Sequence, residues 1–390
     1  MLKKPSKQFK SNLINAIIIL GTIGLVIYLS AKNGDVGASF DAIKSAAPKW
    51  LFFAFIAWAF NILLEALVIH VFYLQQNVKV SYWTTVHITL VGMYYCSITP
   101  AATGGQPMQV YAYKKRGVST GIASSAFAVK FFCFQLALLA VGAILWMIFP
   151  GFVNESVKQT RWLILMGFVV NGSAVVLVLL LAINKNIVRA IVFVLLKLAQ
   201  LLRIVKDVPK TTRKIDVALN DFQESVDMLT RHPIQVISLV LICVVQVMCY
   251  MSVAFCAYRS LGLQGVGFFQ IMALQLLLFL GAAFSPLPGA SGAQEGGFFL
   301  FFGAIIPGDL LLAALLIWRF FTFYINLLGG LVCVVAESVI SMKGHANTVD
   351  KQEKMVYTHM VDFSIDDQSQ SVEDEKISDN EPLIEHESND

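Results

Sequence analysis

Charged residues are scarce in this sequence, at 14 %, against a hydrophobic fraction of 57 %. A soluble domain carries roughly a quarter charged residues and about half apolar ones. The shortage is uneven: long blocks hold almost no charge, so lipid is the solvent expected for most of the chain. Cysteine pairs are also missing. Six cysteines lie singly within apolar blocks, at 96, 133, 243, 249, 256 and 333, with no C-x-x-C spacing and no Cys/His cluster. That excludes a sequence-legible disulfide frame or metal site. The six histidines are scattered, and His70 and His87 read as interior histidines rather than ligands. No ATP-binding P-loop is present, so any drive would come from an ion gradient, a partner or lipid supply; no cofactor and no nucleic acid are expected.

What the chain does have is a series of apolar runs. A helix needs roughly 20 apolar residues to cross a hydrocarbon core of about 30 Å. Candidate spans are residues 12–30, 50–74, 82–98, 122–149, 162–183, 233–258, 266–284 and 310–336. The first follows a basic N-terminus but is too long for a signal peptide, so it reads as a retained helix. Two connectors, 99–117 and 285–308, are apolar yet broken by Pro and Gly. Lys and Arg fix the expected orientation. Lys3, Lys4, Lys7 and Lys10, then Lys114, Lys115 and Arg116, belong on the cytoplasmic side. So does segment 184–232, with nine Lys/Arg against five Asp/Glu. These placements agree only if 82–116 and 266–308 are re-entrant hairpins from opposite faces, with both termini cytoplasmic.

The expected organisation is therefore 1–183 as a first membrane half and 233–341 as a second. Between them lies a basic linker, 184–232, whose part 187–206 reads as an interfacial helix on an anionic leaflet. The acidic stretch 342–390 reads as a disordered cytoplasmic tail. The two halves share a pattern. Ser97, Pro100, Ala102, Thr103, Gly104 and Gln106 align in order with Ser285, Pro288, Ala290, Ser291, Gly292 and Gln294. Downstream, Lys130-Phe-Phe-Cys-Phe134 matches Arg319-Phe-Phe-Thr-Phe323. The fold class predicted is an all-α polytopic membrane protein, an inverted repeat with two re-entrant broken-helix hairpins. Transporters use such an architecture to build a midplane site open to either face in turn.

The half-helices after each break expose N–H groups and a positive dipole end, which suit an anion. Lipid phosphate is the anion at hand. The predicted phosphate-binding set is Gly104, Gly105, Gln106 and Lys130 from one half, and Gly289, Gly292, Gln294 and Arg319 from the other. Glu65 and Glu295 are the predicted counter-charges or partners of a headgroup amine. Ionisable groups at membrane depth cost roughly 2.5–3.5 kcal/mol each, so they should face a cavity and pair. Static ion pairs and packing kinks are the plain alternatives.

The order Pro288-Gly289-x-x-Gly292-x-x-Glu295, then Trp318-Arg319 and Gly329-Gly330, resembles the lysylphosphatidylglycerol synthase transmembrane family. Pro100 to Gln106 with Tyr113-Lys-Lys-Arg-Gly117 resembles its other broken segment, and the likeness runs over about 13–341. That family includes the flippase domain of the bacterial multiple peptide resistance factor. The resemblance implies a flippase for phosphatidylglycerol or its lysyl form in a bacterial plasma membrane, linked to resistance to cationic antimicrobial peptides. A separate synthase or a second copy would be its partner. Full-length relatives add a soluble phosphatidylglycerol lysyltransferase domain. Only about fifty residues follow Ser341, too few for such a domain. A small-solute secondary transporter and a partner without transport are the other readings.

Overall fold

The computed structural model describes residues 36–156, 158, 161–183, 233–283, 285 and 287–337. The expected span at 12–30, the interfacial helix at 187–206 and the acidic tail lie outside them. The chain divides into two compact units, Met1–Cys333 and Val334–Asp390. All the elements that shape the site belong to the first.

Among the described residues the structure is helical. A short α1 (Val36–Lys44) precedes α2 (Pro48–Gln75), then α3 (Tyr82–Ile98), a 3₁₀ turn (Pro100–Ala102), and α4 (Gly105–Lys115). Next come α5 (Thr120–Ile148), the short α6 (Pro150–Ser156) and α7 (Arg161–Ile183). The second half has α8 (Pro233–Ser260), α9 (Phe268–Ala282), a 3₁₀ turn (Pro288–Ala290), α10 (Ala293–Phe302) and α11 (Gly308–Arg319). A π-turn, Phe320–Tyr324, continues α11, and the whole span runs Gly308–Glu337. Helices α1 and α6 fall in segments read from sequence as plain connectors. Both are too short for their apolar pattern to stand out from a loop.

Among the described residues, four helices are long and apolar enough to cross a membrane: α2, α5, α8 and Gly308–Glu337. At 1.5 Å per residue the 28 residues of α2 reach about 42 Å. Their outer faces are apolar as well as their inner ones, with Met147 79 % and Ile234 80 % exposed. Such surfaces need lipid around them, and the protein is an all-α polytopic membrane protein. By contrast α3 and α9 have 17 and 15 residues, spanning only about 22–26 Å.

The short helices fold back. Gln109 on α4 donates to the Ile88 carbonyl of α3 at 3.4 Å. Gly105 on α4 lies so close to α3 that a Cβ there would sit 2.8 Å from the Gly92 oxygen. The two helices thus form a hairpin that turns at Pro100–Ala102. Its open end lies at the C-terminus of α2, where the Tyr73 and Tyr113 rings stack edge-on at 4.9 Å. Helices α9 and α10 form the second hairpin, with Gly297 pressed against Leu278. Its open end lies at the other end of α2. Phe268 meets Phe255, Phe255 meets Trp50, and the Ala47 N–H donates to the Ser260 carbonyl at 2.8 Å. The hairpins therefore enter from opposite ends of the bundle, and their 3₁₀ turns touch in its interior.

The final span also approaches α3 closely. A Cβ on Gly330 would lie 2.5 Å from the Leu90 oxygen and 3.0 Å from the Tyr94 nitrogen. Small residues let membrane helices meet backbone to backbone.

Candidate functional site: a charged cavity between two hairpin tips

Each hairpin turns by the same local chemistry. Pro100 and Pro288 start the two 3₁₀ turns, where a missing N–H costs nothing. Three residues on, the Thr103 hydroxyl donates to the Pro100 carbonyl at 2.9 Å. The Ser291 hydroxyl does the same to Pro288 at 2.8 Å. Each hydroxyl adds a second bond to a carbonyl that already accepts the backbone N–H of the same residue at 3.2 Å, which tightens the turn. The second residue of each turn is left-handed, with φ 49° at Ala101 and 61° at Gly289. A broken backbone at membrane depth persists only when buried in protein or lining a cavity.

A cavity of about 350 Å³ lies where the tips meet. Ala101, Ala102, Gly289 and Ala290 of the turns line it. Lys130, Arg319, Glu65 and Gln294 line it too, as do Asn61, Gln246, Tyr250 and Asn326. Glu295 does not line it but pairs with Arg319, which does. Of the predicted phosphate-binding residues, Lys130, Gly289, Gln294 and Arg319 reach the cavity wall. Gly104, Gly105, Gln106 and Gly292 do not line it. Gly105 is buried in the α3–α4 seam, while Gln106 is exposed.

The charges pair. Lys130 Nζ on α5 meets Glu65 Oε1 on α2 at 2.8 Å. Gln246 Nε2 on α8 donates to the other Glu65 oxygen at 3.3 Å. Arg319 Nη2 meets Glu295 Oε1 at 2.6 Å, and both its Nη atoms donate to the Gly289 carbonyl at 3.3 and 3.4 Å. The second Glu295 oxygen accepts from the Gly292 N–H at 2.6 Å. Glu295 is the third residue of α10 and Gly292 its N-cap, so this is the backward half of a capping box. The carboxylate serves the helix end and the guanidinium at once.

The basic-Phe-Phe-x-Phe motif now has a geometric meaning. Residues i and i+4 share a helix face. Lys130 Nζ lies 5.6 Å from the Phe134 ring centre, and Arg319 Cζ lies 5.4 Å from that of Phe323. Each cation thus rests on the aromatic ring one turn ahead, within cation–π range. Past Arg319 a polar chain links α2 to the final span. Trp58 Nε1 donates to Asn326 Oδ1 at 2.7 Å, and the Asn326 amide donates to the Thr322 carbonyl at 2.8 Å. Such back-bonding to the preceding turn distorts helices, and the π-turn lies here.

Sequence reasoning missed the amides. Asn61, Gln246 and Asn326 are buried and face the cavity or its rim. Their signal was present, since an uncharged amide inside an apolar helix also needs a partner. It is weaker than that of a charge.

Two comparisons with known proteins bear on the chain. A UPF0104 membrane protein of Archaeoglobus fulgidus is 25 % identical over 327 residues, covering 80 % of this chain and 95 % of that protein. The family described as the lysylphosphatidylglycerol synthase TM region matches residues 13–330. That stretch takes in every described element from α1 to α11, both hairpins and all four charged residues of the site. The chain belongs to the lysylphosphatidylglycerol synthase TM region family.

Proposed function

We propose that the protein is a phospholipid translocase that holds a lipid headgroup in the cavity between the hairpin tips. One observation carries this reading. Two broken hairpins from opposite ends of the bundle meet at a cavity that bears paired charges from both halves. A charged headgroup is barred from the hydrocarbon core by desolvation, and a polar site at the tips offers it partners. In this reading the hairpins act as an inverted pair, each gating one face. The cavity is of small-ligand size, at the low end of roughly 300–1,000 Å³, so the acyl chains stay in the bilayer. The expected setting is a plasma membrane with both termini in the cytoplasm, and protection against cationic peptides follows from moving aminoacylated lipid outward. Phosphatidylglycerol and its lysyl derivative are the first substrates to try.

The same cavity volume supports a second reading, a secondary transporter of small solutes. The test separates them. Purified protein is reconstituted in vesicles with acyl-labelled lipids, and leaflet exchange is followed for wild type and Lys130→Ala. Exchange above that of protein-free vesicles, lost in the variant, is expected. A folded, monodisperse wild type that exchanges no lipid sinks the translocase reading and leaves the solute reading.

A further inference from the structure

The charges of the cavity cancel. Lys130 has Glu65, and Arg319 has Glu295. An anionic headgroup that takes Lys130 must evict Glu65, and the carboxylate then keeps only the Gln246 amide. A purely cationic headgroup strands Lys130 in the same way. Removing one partner of a buried pair is costly because the other charge stays behind. A headgroup with both a phosphate and an ammonium replaces each partner in kind.

Two orphaned polar atoms fit the same ligand. Gln246 Oε1, an acceptor, and Arg319 Nε, a donor, are buried with no hydrogen-bond partner. Both residues line the cavity, at 1 % and 4 % exposure. Native interiors leave few such groups, and each calls for an explanation. One suits an ammonium hydrogen and the other a phosphate oxygen.

The two ion pairs are not equally able to open. The side chains of Lys130 and Glu65 are 20 % and 13 % exposed, those of Arg319 and Glu295 both 5 %. Glu295 is tied twice, to Arg319 and to the Gly292 N–H. Exchange with a ligand therefore belongs to Lys130 and Glu65, with Arg319 Nε as a fixed auxiliary donor.

We propose that the site selects a zwitterionic headgroup, a phosphodiester bearing a primary ammonium, over a net anionic one. Its phosphate takes Lys130 and Arg319 Nε, and its ammonium takes Glu65 and Gln246 Oε1. For a lipid as the source of that headgroup, the inference rests on the translocase reading above.

Two measurements test it. Vesicles of phosphatidylcholine, whose quaternary ammonium donates no hydrogen bond, carry trace acyl-labelled phosphatidylethanolamine or phosphatidylglycerol. Wild type is expected to exchange the ethanolamine lipid about tenfold faster, equivalent to about 1.4 kcal/mol. Glu65→Gln is expected to erase or reverse that preference, because Lys130 is then free for an anion. The second measurement is the thermal shift of wild type with soluble glycerophosphoethanolamine against glycerophosphoglycerol. The former is expected to give the larger shift, and this decides the matter if the variant does not fold. Equal or faster exchange of phosphatidylglycerol overturns the preference while leaving a translocase. A shift with the soluble ethanolamine compound but no lipid exchange keeps the preference and removes the translocase. No exchange and no shift removes both.

Discussion

The first hairpin is held by its own seam, the second by the helix that follows it. Glycines 92 and 105 bring α3 and α4 into backbone contact, and Thr99 Oγ1 accepts the Gly104 N–H at 2.9 Å to close the tip. The cation of that half, Lys130, takes its counter-charge from α2, outside the hairpin. In the second hairpin the carboxylate lies within the hairpin itself. Glu295 caps α10 and grips Arg319, which also binds the Gly289 carbonyl of the turn. The position in the first hairpin that aligns with Glu295 is Pro107. The same turn thus stands on close packing in one half and on a buried ion pair in the other. The difference teaches that matching motifs do not imply matching interactions.

Removing the cations should expose that difference most strongly. Arg319→Ala strands a carboxylate that is only 5 % exposed, and should cost about 3–5 kcal/mol. Lys130→Ala leaves Glu65 less deeply buried and still bonded to Gln246, so its loss should be smaller, about 1–2 kcal/mol. Unfolding in detergent measures both. Equal losses would mean that the pairs are equivalent and that the comparison fails.

Next come the left-handed turn residues. At φ 61°, and with Phe323 against the space a Cβ needs, Gly289→Ala should destabilise by about 1–3 kcal/mol. Ala101 occupies the same conformation with a Cβ in place. Ala101→Gly relieves roughly 1–2 kcal/mol of strain against roughly 0.5–1 kcal/mol of added chain entropy, a net gain of about 0.5–1 kcal/mol. The same unfolding assay reads the two signs, and a loss in Ala101→Gly would show that the first turn is not strained.

The smallest effect is expected from grafting the acid of the second hairpin into the first. Pro107→Glu puts a carboxylate at the third position of α4, but the Gly104 N–H is already taken by Thr99. The change should stay within about 0.5 kcal/mol, at the low end of a helix-end charge. A gain well above that would mean that the new carboxylate had reached Lys130, making the halves more alike than the structure shows.

Much of this site was legible as residue types and spacings. The broken segments stood out because Pro and Gly interrupt apolar runs that otherwise have no reason to stop. Lys130 and Arg319 stood out because a charge at membrane depth is costly, and their phenylalanines lie at helical spacing. That the four charges would pair was expected, but which acid meets which base was not legible. Glu65 is distant from Lys130 in sequence, and nothing local says that α2 and α5 bring them to 2.8 Å. Gln106 matched Gln294 in the sequence, yet one is exposed and the other lines the cavity. Helix α10 turns its residue into the bundle and α4 turns its own away, a matter of packing rather than of motif.

By itself the sequence determined the solvent, the long apolar helices and the breaks. Those follow from apolar length, from scarce charge and from the steric rules of proline and glycine, all local to the chain. Only the tertiary structure decided that the two turns touch, which carboxylate each cation meets, and that one of those carboxylates also caps a helix. These depend on which helices meet, and in a membrane that is set by close packing and by the cost of an unpaired charge, neither of which any single segment contains.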